Sequence, residues 1–229
     1  MAKKDYTHIA VILDRSGSMN SIVSEMCSGF DTFIKKQKEV EGEATVTLAQ
    51  FDDKYDLVYE MKEIACVPSL TLVPRGTTAL LDAMGKTMNT VVERIDGMDE
   101  NKRPEKCVFV IITDGNENAS HEFSREQIFE MIEELRESDE GVHYEFVFIG
   151  ANQDSIHAGG TIGIRLNSTL NYDANSQGAK HMFKKLSQSM TSYRSADADA
   201  AYSFAEDDDD DDGDDDDAAF GAGTSVMTE

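Results

Sequence analysis

A chain of 229 residues, 40% hydrophobic and 29% charged, has the size and composition of one globular α/β domain with a full core. Its net charge of −24 is unevenly spread: fourteen of the 45 acidic residues follow Arg194, where no Lys or Arg occurs, so the body carries only about −10. That balance excludes direct nucleic-acid binding as an expectation, because phosphate contacts need clustered Lys and Arg.

Ile9 to Leu13 is an unbroken apolar run stopped by Asp14, the pattern of a central strand buried on both faces. Met19, Ile22, Val23, Met26, Phe30, Phe33 and Ile34 then recur at helical spacing, which predicts a helix ending near Glu41 and Gly42. Thr45 to Phe51 alternates like a strand, and Asp52-Asp53-Lys54 turns the chain into a hairpin partner over Tyr55 to Ile64. Leu80, Leu81, Met84, Met88, Val91, Val92 and Ile95 stripe a long helix started at Thr77 or Thr78 and closed by Gly97. Val108 to Thr113 is a second buried strand, stopped by Asp114-Gly115.

Ser124 and Gln127 form a capping box, with Phe123 and Ile128 as a hydrophobic staple at the start of the next helix. Tyr144 to Ile149 is a further strand; a short helix is expected from Asp154 and an edge strand near Ile164 to Leu166. Ala179, Met182, Phe183, Leu186 and Met190 stripe the last helix. Strands alternating with helices predict a doubly wound α/β fold: a mostly parallel central sheet, one antiparallel edge hairpin strand, and helices on both faces. In such sheets ligands sit beyond the carboxyl ends of the strands, where strand order reverses. Asp14 and Asp114 both end strands on that edge.

Asp14-Arg15-Ser16-Gly17-Ser18 puts three oxygen-bearing side chains on one tight turn directly after a buried strand. Hard cations such as Mg²⁺ take oxygen ligands in near-octahedral geometry and keep several waters. Ser16 and Ser18 can supply hydroxyl oxygens directly, with Asp14 holding bound water and balancing charge. Gly76-Thr77-Thr78 and Thr113-Asp114-Gly115 can complete the set. The blander reading of the turn is an N-cap cluster for the first helix, and Thr78 alone reads equally as a cap.

Together these segments resemble the metal-ion-dependent adhesion site of the von Willebrand factor A (VWA) family, over roughly residues 6 to 193. The family pattern of Asp-x-Ser-x-Ser, then Thr, then Asp is met at Asp14, Ser16, Ser18, Thr78 and Asp114. The segments around Asn116 and around Ala151 to Asp154 look like small stand-alone bacterial and phage members. The resemblance implies the family's Rossmann-like fold and a divalent metal, Mg²⁺ with Mn²⁺ or Ca²⁺ as alternatives. It implies direct ligation by Ser16, Ser18 and Thr78, with Asp14 and Asp114 acting largely through water. It also implies one position open to a partner's Asp or Glu, and intracellular members suggest an ATPase as that partner. Neutral hydroxyl ligands leave the cation under-neutralised, so an incoming carboxylate is attracted. Glu117, Asn118, Asn152 and Gln153 are candidate rim residues for the partner; for Asn152 and Gln153 a capped helix start is the equal alternative.

The leading reading is thus a non-catalytic, metal-dependent protein-interaction module. A metal-dependent phosphohydrolase with Asp14 as nucleophile is disfavoured. No second acid stands two residues on, since Ser16 occupies that place, and no glycine-rich phosphate loop is present. A third reading is an assembly protein that oligomerises through the site and is regulated by its tail. Residues 196–229, rich in Asp, Ala and Gly without apolar periodicity, read as a disordered acidic tail beside a domain of residues 1–195. The tail could solubilise, offer its own carboxylates to the metal, or dock on a basic protein as a charge mimic. Cys27, Cys66 and Cys107 are isolated and odd in number, and no segment has the length of a signal-peptide core or membrane span. Both features point to the cytoplasm and to no membrane partner.

Overall fold

The computed structural model describes residues 2–138, 141–151, 159–197 and Phe204. Six strands, β1 (Lys3–Asp14), β2 (Glu43–Phe51), β3 (Tyr55–Glu63), β4 (Pro104–Thr113), β5 (His143–Ala151) and β6 (Thr169–Tyr172), form one sheet in the order β3-β2-β1-β4-β5-β6. Only β2 and β3 pair antiparallel. β1 therefore lies between β2 and β4, and strand order reverses across it: the next strand in sequence is on one side, the later strands on the other. Ile12, Ile111, Phe148 and Thr169 lie level across β1, β4, β5 and β6.

Side chains of a strand point alternately to its two faces, and in β1 and β4 both sets are buried. Ile9, Val11, Leu13, Val108, Val110 and Ile112 pack under α1 (Val23–Gln37) and the C-terminal helix α4 (Ser176–Ser195). Ala10, Ile12, Phe109 and Ile111 pack under α2 (Leu80–Asp96) and α3 (Arg125–Arg136). A strand buried on both faces reads as a continuous apolar run because it must satisfy two cores at once. α1 and α4 meet closely at Gly29, where a Cβ would lie 2.1 Å from the Phe183 ring.

The capping box at Ser124 and Gln127 is formed, the Ser124 side chain accepting from Gln127 N and the Gln127 side chain from Ser124 N. Three local expectations are corrected. The first helical stripe divides into a 3-10 turn over Gly17–Ser21 and α1 proper, and α1 stops at Gln37 instead of near Glu41. The N-cap of α2 is Ala79, so neither Thr77 nor Thr78 caps it with a side chain. The last strand is Thr169–Tyr172, not the Ile164 region. Ile162 and Ile164 instead turn through Gly163, at φ +83°, onto the α2–α3 core, while Leu170 and Tyr172 face the α1–α4 core.

The expected helix start at Asp154 lies outside the described residues. Phe204, from the stretch read as tail, is 1% exposed against the α1–α4 core, with its ring 5.4 Å from that of Tyr193. No helix among the described residues is long and apolar enough to cross a membrane.

Candidate metal centre

β1 delivers Asp14 to the carboxyl edge with no exposed surface, between the ends of β2 and β4. Its Oδ1 accepts from Ser16 N at 2.6 Å and its Oδ2 from Thr113 Oγ1 at 2.6 Å, so the turn and the neighbouring strand end both fix it. The 3-10 turn that follows presents Ser16 Oγ 3.0 Å from Ser18 Oγ, and Ser18 Oγ donates to Asp114 Oδ1 at 2.5 Å. Thr78 comes from the opposite side, 3% exposed.

Gly115 marks where the oxygens converge. The point a Cβ would occupy there is 3.0 Å from Thr78 Oγ1, 3.6 Å from Ser18 Oγ and 3.7 Å from Asp14 Oδ2. All five residues singled out in the sequence meet around one small space. Gly115→Ala puts a methyl group into it and is expected to lower Mg²⁺ affinity about tenfold, the equivalent of roughly 1.4 kcal/mol of overpacking. Titration calorimetry with Mg²⁺ checks this; an unchanged affinity would place the cation elsewhere.

The donor set fits a hard divalent cation. Among the described residues no group of three or more His, Cys, Asp or Glu side chains gathers, so the space is lined by hydroxyls and only two carboxylates. Burial pushes the Asp14 carboxyl up to about 6, against the bonds from Thr113 and Ser16 that lower it. Burial also raises Asp114, against its bond from Ser18. The Tyr172 hydroxyl, held high by burial and by the charges of Asp114 and Asp14, is buried without a partner. Two desolvated carboxylates with raised proton affinity are what a site looks like when its compensating charge is a cation.

A wider network holds this arrangement. Asp52, just past β2, accepts from Arg15 Nε at 2.8 Å, Arg75 Nε at 2.7 Å and Lys54 N at 2.7 Å. Backbone bonds from Arg75 N to Arg15 O, Gly17 N to Gly76 O and Ala79 N to Asp52 O sew the Thr78 loop to the Asp14 turn. On its other side Asn118 clamps Thr78: its N donates to Thr78 O at 3.0 Å, and its Oδ1 accepts from Thr78 N at 3.0 Å.

Glu117 accepts from Leu81 N, Ala119 N, Ser120 N and Ser120 Oγ at 2.6–3.0 Å, and these bonds hold its carboxyl low despite burial. It thereby satisfies an open N–H in the first turn of α2, where negative charge is favourable. Asp82 returns the bond, accepting from His121, Glu122 and Phe123 N. Of the four rim candidates, Glu117 and Asn118 thus sit beside the site engaged in intramolecular bonds, while Asn152 and Gln153 lie outside the described residues. Asp52 went unnoticed in the sequence, where it read only as turn; its one signal is an acid at the end of the strand beside β1.

A doubly wound sheet with hydroxyls and carboxylates gathered at its reversal point is the arrangement of a known domain family. The von Willebrand factor type A domain model matches residues 8–189, and the chain belongs to that family. Solved structures share the fold at low identity. Proximal thread matrix protein 1 from the mussel byssus, solved with a zinc-occupied metal-ion-dependent adhesion site, aligns at TM-score 0.56 and 16% identity over 81% of this chain. This chain covers only 46% of the mussel protein. The manganese-loaded TRAP protein of Plasmodium vivax aligns at TM-score 0.51 and 14% identity, over 77% of this chain and 72% of that one. A von Willebrand factor type A protein from Catenulispora acidiphila aligns at TM-score 0.51 and 11% identity, over 81% of this chain and 42% of that one. No curated protein matches the sequence.

Proposed function

We propose that this chain is a non-catalytic protein-interaction module that binds a partner's Asp or Glu through Mg²⁺. The observation that carries the reading is the convergence of Ser16, Ser18 and Thr78 hydroxyls with the buried Asp14 and half-buried Asp114 carboxylates around one space beside Gly115. Ser16, Ser18 and Thr78 would hold the ion directly, with Asp14 and Asp114 balancing charge through water. Bound there, the cation supplies an electrophilic position for one carboxylate oxygen. The zinc and manganese seen in the mussel and Plasmodium proteins support a divalent ion at such a site.

The surroundings of Asp14 disfavour phosphoryl chemistry. Both its oxygens accept intramolecular bonds and it has no exposed surface, which is not how an attacking nucleophile is presented. The setting fits the bacterial or phage cytoplasm, where Cys27, Cys66 and Cys107 stay as the free thiols they are here.

The test compares wild type with Asp14→Ala. Wild type is expected to bind Mg²⁺ by calorimetry and to retain a partner from native lysate, losing it on EDTA treatment. Asp14→Ala is expected to lose both with an unchanged circular dichroism spectrum. Partner retention that survives both EDTA and the substitution would reject the mechanism.

A further inference from the structure

The last residue of β6 brings a further hydroxyl to the metal centre. Thr113, Gly150 and Asn171 lie level across β4, β5 and β6, so the next step along each strand sets Asp114, Ala151 and Tyr172 in one row. Tyr172 packs on the α1–α4 face together with Ile112 and Ile149. Side chains two apart on a strand share a face, and Asp114, two residues past Ile112, continues that face at the strand end. Row and face together bring Tyr172 and Asp114 toward one another across the end of β5.

The residue between them is small. Ala151 pairs with Tyr172 and is partly buried against the same core, and its methyl group leaves room for the ring to lie over β5. Two strand spacings separate the backbones of Asp114 and Tyr172, about 10 Å. A tyrosine reaching from one side and an aspartate from the other cover most of that gap, and one water closes the rest.

The surroundings of the hydroxyl point the same way. Tyr172 is 5% exposed, and its Oη has no hydrogen-bond partner among the described residues. After burial, the charges of Asp114 and then Asp14 do most to hold its proton, so the hydroxyl lies in the field of the two carboxylates that would balance the cation. Phenylalanine would fill the same core space, whereas a desolvated hydroxyl without a partner weakens a fold. A donor kept there beside two carboxylates calls for an acceptor that arrives with the metal.

On the reading given under Proposed function, we infer that Tyr172 is a positioning residue of the metal centre, its Oη donating to the water that joins Asp114 to the bound cation. The valences of that water close: one lone pair on the cation, one accepting from Tyr172, and a proton donated to Asp114. Ser18 Oγ already donates to Asp114 Oδ1, so the aspartate is steadied through its carboxylate and through its water. Partners of this outer kind set metal affinity without touching the ion.

The test compares wild type, Tyr172→Phe and Asp14→Ala by Mg²⁺ calorimetry, by urea unfolding in EDTA and by ultraviolet resonance Raman, where the tyrosine Fermi doublet reads whether a hydroxyl donates. Tyr172→Phe is expected to lower Mg²⁺ affinity about tenfold. Its metal-free form should unfold at the same or a higher urea concentration, because the ring stays and an unpaired hydroxyl goes. The Raman difference between wild type and Tyr172→Phe should show one hydroxyl gaining an acceptor when Mg²⁺ is added. Unchanged affinity in Tyr172→Phe, with Asp14-dependent binding intact, would overturn the inference alone. A doublet indifferent to Mg²⁺ would overturn it whatever the affinity does, since the hydroxyl would then act through the fold. If wild type shows no Asp14-dependent binding, the inference and the reading beneath it fall together.

Discussion

Asp52→Ala is expected to destabilise the protein by about 3–5 kcal/mol and to take most of the metal affinity with it. The Asp52 carboxylate has no exposed surface, and burial alone would raise its proton affinity. The bonds from Arg75, Lys54 N and Arg15 overcome that and hold it ionised. Arg15 is itself nearly buried, and without Asp52 its guanidinium keeps only the close charge contact to the half-exposed Asp56. A buried guanidinium stripped of its buried carboxylate is among the few single changes that remove so much stability. The effect reaches the metal because Arg15 stands between Asp14 and Ser16, while Arg75 leads into the loop that carries Thr78. Urea unfolding together with Mn²⁺ titration measures both consequences. Asp52→Asn, which keeps the shape and the Oδ1 acceptor for Lys54 N, should be milder on both. A loss below about 1 kcal/mol with unchanged Mn²⁺ affinity in Asp52→Ala would show that the network is not what holds the loop.

His8 should make the protein acid-sensitive over a window set by its burial. Burial lowers its pKa from 6.5 to about 3, opposed only by its bond to Thr45, and its Nε2 is buried without a partner. The sign follows from proton uptake. Between about 3 and 6.5 the unfolded chain carries a proton on His8 that the folded chain does not, so stability falls as pH falls through this range. The slope approaches its one-proton limit below pH 6, so the loss between pH 6.5 and 4.5 is about 2 kcal/mol. His8→Leu removes this dependence. The difference in urea stability between wild type and variant, measured from pH 7.5 to 4.5, isolates it from the carboxylates, which titrate alike in both. A pH-independent difference would mean that His8 is charged in the fold.

Much of the site could be read from the sequence because its chemistry sits next to strong local signals. Asp14 and Asp114 each end an apolar run, and a run buried on both faces declares itself without knowledge of its neighbours. The capping box was legible for the same reason, since both partners lie within four residues. What escaped depends on distant parts of the chain. The clamp of Asn118 on Thr78, forty positions earlier, has no local signature. Nor do the bonds that Glu117 accepts from Leu81, Ala119 and Ser120. The last strand was misplaced because Ile162 and Ile164 carry the stronger apolar signal yet serve the opposite core. Phe204 was hidden by composition: Tyr202, Phe204 and Phe220, without helical or strand spacing, do not lift the hydropathy of the acidic stretch around them.

The two borders of the sheet bear on how this protein behaves when crowded. β6 offers only four residues, and β3 meets β2 with an interrupted register and places Met61 at φ +39°. Asp56, Glu60 and Lys62 add charge along β3. A short border and a bent, charged one are both poor templates for adding a strand from a neighbouring molecule. Fibrous growth by sheet extension is therefore disfavoured at both borders of the described sheet. Any ordered assembly these chains form is then expected to be built through side chains and not by extension of the sheet.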